Sequence, residues 1–184
     1  EVVEKAKKLQ TIFDRIEFVD LRICFIIEQM DKSFLNEKIK ILQNGSDAKK
    51  ISTLEDEQKV KRQELMDIRD FINQCNNPGE FLEDEKIERL EEISKMTWTD
   101  FDGNEQPFLN DDEVLNLSIR RGSITESERK KMQNHAAVTL KMLKKIPFTK
   151  KLKNIPLYAG AHHEFINGGG YPLGLKGDEI PFEG

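Results

Sequence analysis

Ala161-His162-His163-Glu164-Phe165-Ile166-Asn167-Gly168-Gly169-Gly170-Tyr171-Pro172-Leu173-Gly174-Leu175 is the stretch on which the reading of the whole chain turns. Two adjacent histidines and a carboxylate stand directly before a glycine run that ends in Tyr-Pro. That order suggests metal-binding side chains at a helix end, followed by a loop whose backbone approaches a ligand closely. The chain has three histidines. The third, His135, lies one helix upstream, so all the imidazole falls in the last third of the sequence. Imidazole suits iron, manganese, zinc and copper alike, and adjacent His-His before Glu is unusual in a plain core helix.

Working outward, His-His-Glu, a short spacer, Gly-Gly-Gly-Tyr-Pro and then Gly174-Leu175-Lys176-Gly177-Asp178-Glu179-Ile180-Pro181 resemble the HD-GYP family, a branch of the HD superfamily of metal-dependent phosphohydrolases. Leu117 to Gly122 and Ser123-Ile124-Thr125-Glu126-Ser127-Glu128-Arg129 are similar to the lead into the helix that carries a ligand histidine of the family, which His135 matches. Ile146-Pro147-Phe148 and Tyr158-Ala159-Gly160 fit one branch, in which a long helical insertion separates the first His-Asp pair from this helix. Lys5 to Val19 resemble the start of that insertion.

The resemblance implies an all-α fold, an HD-type helical core with an inserted long helical hairpin. The hairpin would occupy residues 1–78 and part of an HD-GYP domain residues 79–184. It further implies hydrolysis of cyclic di-GMP or a related cyclic dinucleotide in bacterial signalling. Two or more divalent ions, iron or manganese, would be held by His135, His162 and His163. Glu164 is expected to brace an imidazole by hydrogen-bonding its other nitrogen. Gly169, Gly170, Tyr171 and Pro172 are the expected substrate loop, and Lys176 a phosphate contact.

Adjacent helical residues point about 100° apart, so His162 and His163 need the helix end to grip one ion, or else serve two neighbouring ions. A two-metal site suits phosphodiester hydrolysis. Gly168, Gly169 and Gly170 are expected to supply positive φ and close backbone approach.

The departures from the family pattern are specific. No histidine is followed by Asp, and the family's other metal aspartate would fall after Gly184; both are ascribed to truncation, and the segment alone is expected to be inactive. Asn167 stands where the family usually has Asp. That internal change supports the rival reading, a catalytically degenerate module that senses the nucleotide or binds a partner protein.

Composition is compatible with this picture. The 184 residues can bury a real core, and 34% charged against 37% hydrophobic residues indicates extensive solvated helical surface. A net charge of −5 with mixed signs offers no basic footprint for duplex nucleic acid. Two cysteines, Cys24 and Cys75, are far too few for a disulfide-stapled secreted domain and are read as reduced, buried and cytoplasmic. No apolar run is long enough to span a bilayer, so no membrane contact is expected of this segment.

Leu9, Ile12, Ile16, Val19, Ile23, Ile26 and Met30 follow alternating spacings of three and four, the pattern of a helix with one packing seam; Phe13, Phe18, Phe25 and Ile27 broaden it. The seam suits either an intramolecular core or a homodimer through the N-terminal helices. Asn44-Gly45-Ser46-Asp47 is a turn, and a second helix from about Thr53 to Cys75 completes an antiparallel hairpin. Asn76-Asn77-Pro78-Gly79 ends it. Ile87, Leu90, Ile93 and Met96 mark a shorter helix that Trp98 and Phe101 are expected to close onto the core. Asp100 to Asn104 reads as an Asp-Gly turn, since it lacks the ligand spacing of a calcium loop. Asn110 to Glu113 and Thr125 to Glu128 have the form of capping boxes. Beyond the second, His135 sits beside the face traced by Met132, Ala136, Thr139 and Leu143, at the edge of the core. Pro147 stops that helix, and Asn154-Ile155-Pro156 starts the next.

Overall fold

The structure is a computed structural model and describes residues 7–9, 14–45 and 47–182. It is all-α apart from one small hairpin, as expected. In chain order the elements are α1 (Ile16–Gln43), α2 (Ala48–Cys75), α3 (Asp84–Ser94), β1 (Thr97–Thr99), β2 (Glu105–Pro107), α4 (Asp111–Leu117), α5 (Glu126–Leu143) and α6 (Ile155–Ala161), with a 3-10 turn at Gly177–Glu179. No helix among the described residues is long and apolar enough to cross a membrane.

The described residues up to Ile124 form one compact unit and those from Thr125 onward a second. The hairpin's second helix ends at Cys75, within the first of these units. Leu82, Leu90 and Ile93 share one core with Val19 and Ile23 of α1 and Ile72 of α2, so the segment after the hairpin is bound to it by burial.

In the first unit, α1 begins at Ile16 rather than at Leu9. Leu9 is fully buried in a turn: its N–H donates to Asn76 Oδ1 at 2.9 Å, and its carbonyl accepts from Arg15 Nε at 3.0 Å. Those tertiary bonds satisfy the backbone as a helix would have done, and burial alone gives Leu9 its place in the apolar pattern. Ile12 and Phe13 lie outside the described residues, as do Lys5, Ala6 and Ser46. Ile16, Val19, Ile23 and Ile27 are buried and Ile26 packs against them, so this seam faces the protein's own core. The intramolecular alternative therefore describes it.

The turn at Asn44 leads into α2 five residues earlier than Thr53, because Asp47 caps the helix by accepting from the N–H groups of Lys49 and Lys50. Pairs such as Lys38–Glu55 at 2.7 Å and Arg69–Asp20 at 2.7 Å lace the two helices across their exposed sides. Cys75 is buried as expected. Cys24 is exposed, because it follows Ile23 and points about 100° away from the core that Ile23 enters.

The β-hairpin was not anticipated. Its strands are three residues each, too short for alternation to register. Asp100 builds the turn: Oδ1 accepts from the N–H groups of Asp102 and Asn104, Oδ2 from the Gln106 amide, and Gly103 takes φ +86°. Trp98 packs edge-on against Phe25 at 5.8 Å, but Phe101, expected in the core, sits at the turn and is 83% exposed. Met96 follows the end of α3 and is 41% exposed. Both expected capping boxes are present. Glu113 does more than cap α4, since it also receives both guanidinium nitrogens of Arg22 at 2.9 Å in a nearly dry pocket.

In the second unit α5 and α6 pack closely. A Cβ on Gly160 would stand 3.0 Å from Leu140 Cδ1, and Ala136 and Ala161 are buried. Thr125 caps α5 by accepting from the Glu128 N–H, and Glu128 returns a bond to the Thr125 N–H at 2.8 Å. Thr125→Ala is expected to lower the unfolding free energy by about 1 kcal/mol, while Thr125→Ser keeps most of it. Urea denaturation checks this, and equal losses for the two variants would show that the cap bond is not the cause.

Candidate metal centre

Two helix ends deliver the three imidazoles. His135 lies on α5, whereas α6 stops at Ala161, leaving His162 as its C-cap and His163 one residue beyond. The chain has left the helix where the histidines occur, so the 100° divergence of neighbouring helical side chains does not keep them apart. His163 Nε2 is 3.1 Å from His135 Nε2, and the His162 and His163 ring centroids are 4.0 Å apart. One potential ligand atom from each of the three lies within 4.8 Å of the others. For comparison, two nitrogens on one tetrahedral ion stand about 3.4 Å apart.

Backbone carbonyls set the tautomers. The Nδ1 of His162 is 2.7 Å from the Ala159 carbonyl, and the Nδ1 of His135 makes a short bond to the Met132 carbonyl. A carbonyl can only accept, so each Nδ1 donates and each Nε2 is left with its lone pair, that of His135 lying 3.1 Å from His163 Nε2. Both rings thus present the nitrogen a metal would take. Burial first, and then the charges of His162 and His135, push the His163 pKa below the ordinary imidazole range, which favours its neutral, ligating form. The donor set therefore fits a divalent ion. His135 is exposed, not tucked at the edge of the core, because its ring leans toward His163 and away from the buried Ala136.

Glu164 does not brace an imidazole. Its Oε1 accepts from the N–H groups of Leu173 at 2.7 Å and Gly174 at 3.0 Å, and its Oε2 from Leu175 at 2.9 Å. The carbonyls hold the Nδ1 protons of His135 and His162, so the carboxylate is free to gather three amides of the loop. It ties the far end of the glycine loop to the residue after the histidine pair.

The glycines divide their work differently from the expectation. Gly168 takes φ +77°, but Gly169 and Gly170 do not adopt positive φ. Gly170 supplies close approach: a Cβ there would stand 2.4 Å from Glu164 Cα and 2.5 Å from the His163 carbonyl oxygen. Tyr171 donates its N–H to that carbonyl at 3.2 Å and stacks on the His163 ring, centroids 4.7 Å apart and planes 22° apart. Pro172 follows through a cis peptide bond. Lys176 is exposed, its methylene chain lying over Gly168.

Asn167 Oδ1 accepts from the Gly169 N–H at 2.9 Å. An aspartate can make that bond and asparagine makes it equally well in kind, so the loop's local hydrogen bonding survives the substitution. Sequence reasoning missed this bond and the Glu164 clasp. The signal for the clasp was a lone carboxylate placed between candidate ligands and a loop full of free amides.

The family model described as HD domain matches residues 111–184. Over 60 residues, 32% of this chain and 12% of the relative, the sequence is 47% identical to 3'3'-cGAMP-specific phosphodiesterase 3 of Vibrio cholerae serotype O1. Over 71 residues, 36% of this chain and 16% of the relative, it is 38% identical to a probable cyclic di-GMP phosphodiesterase of the same organism. The matched segments are thus a small part of either relative. No solved structure matches the chain.

Proposed function

We propose, from the match of residues 111–184 to the HD-domain family model and the likeness to two cyclic dinucleotide phosphodiesterases, that the protein is of HD-GYP type and hydrolyses cyclic di-GMP or a related cyclic dinucleotide with the help of divalent metal ions. The observation that carries this reading is the convergence of His135, His162 and His163 beside a loop clasped by Glu164. His135, His162 and His163 hold the metal, and iron or manganese, in a set of two or more ions, is the expected occupant. Bound divalent ions lower the pKa of a coordinated water and offset negative charge on the phosphodiester. The carbonyls of Met132 and Ala159 keep the Nε2 lone pairs of His135 and His162 aimed at the site. Glu164 and Gly170 hold the loop against the histidines. Gly169, Gly170, Tyr171 and Pro172 border the nucleotide, and Lys176 reaches a phosphate. A cytoplasmic location and a homodimer through the N-terminal helices accompany this role.

The test is an assay of the protein in its natural full length, loaded with iron or manganese, against cyclic di-GMP and 3'3'-cGAMP. Linear or mononucleotide product is the expected result. Metal bound without turnover would instead favour the nucleotide-sensing module. Asn167 was the feature favouring that rival, and its retained bond to Gly169 weakens the case. Asn167→Asp is therefore expected to change kcat/KM by less than about threefold, under about 1 kcal/mol in barrier height. A large rise in turnover would show that the missing carboxylate does impair the loop.

A further inference from the structure

α1 carries a second apolar stripe on the side opposite its core seam. Phe18, Leu21, Phe25, Glu28, Lys32, Leu35, Ile39 and Leu42 follow alternating spacings of three and four along the helix, the repeat of a coiled-coil face. At 100° per residue this stripe is centred roughly 155° from the line through Ile16, Val19, Ile23 and Ile27. Four of its apolar members stand in water: Leu21 is 64% exposed, Leu35 54%, Ile39 50% and Leu42 48%. Phe25 is half-buried against Trp98. Four large aliphatic side chains in one register are more than scattered surface apolarity.

The order of residues in the stripe identifies what covers it. Phe18 and Leu42 are equidistant from Met30, as are Leu21 and Ile39, Phe25 and Leu35, and Glu28 and Lys32. Laid antiparallel on a second α1 with the two-fold axis at the level of Met30, the stripe pairs apolar with apolar at both ends and places each Glu28 opposite a Lys32. Among the described residues neither Glu28 nor Lys32 makes an ion pair within the chain. A surface complementary to itself about a two-fold axis is an isologous dimer surface.

We propose that the outer face of α1, from Phe18 to Leu42, is a homodimer interface that pairs antiparallel with the same face of a second copy. The contact runs about 36 Å along the helix. The dimer uses no residue of the metal centre, so it stands apart from the phosphodiesterase reading. The seam expected from Leu9, Ile16 and Ile23 cannot serve, because it is consumed in the chain's own core.

Sedimentation equilibrium of the full-length protein, with circular dichroism as a folding control, tests the interface. The wild type is expected to be dimeric, and Leu35→Glu with Ile39→Glu is expected to give a folded monomer, since both positions are exposed within one chain. Glu28→Lys alone sets Lys against Lys twice and is expected to weaken the dimer by at least about tenfold. Adding Lys32→Glu restores opposite charges and is expected to recover most of that loss. A monomeric wild type overturns the proposal, as does a dimer indifferent to Leu35→Glu with Ile39→Glu. Failure of the double charge reversal to recover affinity overturns the antiparallel register.

Discussion

Gly170→Ala is expected to reduce kcat/KM by about a hundredfold or more, the scale on which displacing a catalytic group by 1 Å acts. A methyl group at this position would meet Glu164 Cα at 2.4 Å, the His163 carbonyl oxygen at 2.5 Å and the Phe165 nitrogen at 2.5 Å. All three are backbone atoms, so no side-chain rotation relieves the contact. The backbone that must move carries His163 and Glu164. Displacing it shifts a candidate ligand and loosens the three-amide clasp together. Gly174→Ala strains the clasp alone, because the Gly174 N–H bonds Glu164 Oε1 and Gly174 takes φ +67°, but a Cβ there meets nothing within 4 Å. That change costs about 1–2 kcal/mol of backbone strain in the loop. Steady-state kinetics with metal analysis on both variants separates the effects; a Gly170→Ala enzyme with near-normal kcat/KM would show that the loop need not touch the histidine segment.

His163→Ala is expected to cost more than about a hundredfold in metal affinity, above the loss that follows removal of a partner behind a ligand. It removes a nitrogen 3.1 Å from His135 Nε2, and it also removes the ring on which Tyr171 stacks. Metal and turnover should fall together, and His135→Ala and His162→Ala should do the same. Acidification acts in the same direction, since protonated imidazole cannot ligate. Burial and two neighbouring imidazoles hold the His163 pKa low, so its own protonation sets in at lower pH than that of an ordinary imidazole. Retention of full metal content in all three alanine variants would remove the histidines from the first coordination sphere.

Much of this site was legible because its parts are adjacent in sequence. His162, His163, Gly170 and Tyr171 lie within ten residues, and one capped helix brings His135 to them. The hairpin was legible from periodicity, and its inner seam fell where the spacing placed it. What escaped were features set by tertiary contact. Leu9 kept the helical spacing while its backbone was claimed by Asn76 and Arg15. Burial of Leu82, Leu90 and Ile93 against α1 and α2 joins the segment after the hairpin to it, and no local composition marks that. Glu164 was assigned to the nearest imidazole by proximity in sequence. The carbonyls of Met132 and Ala159 had already taken the Nδ1 protons of His135 and His162, which left its carboxylate to the loop amides. The outer stripe of α1 was present in the same residues as the inner seam, and only the exposure of Leu21 and Leu35 separates the two.

The most direct test of the account is to count the imidazoles on the metal. Electron spin-echo spectroscopy of the manganese-loaded protein, with nitrogen-15 introduced at histidine, reads coordinated imidazole nitrogens without reference to turnover. Histidine coordination is expected, and it should weaken when His135, His162 or His163 is replaced singly by alanine. A manganese signal with no histidine nitrogen, or one indifferent to all three replacements, would contradict it.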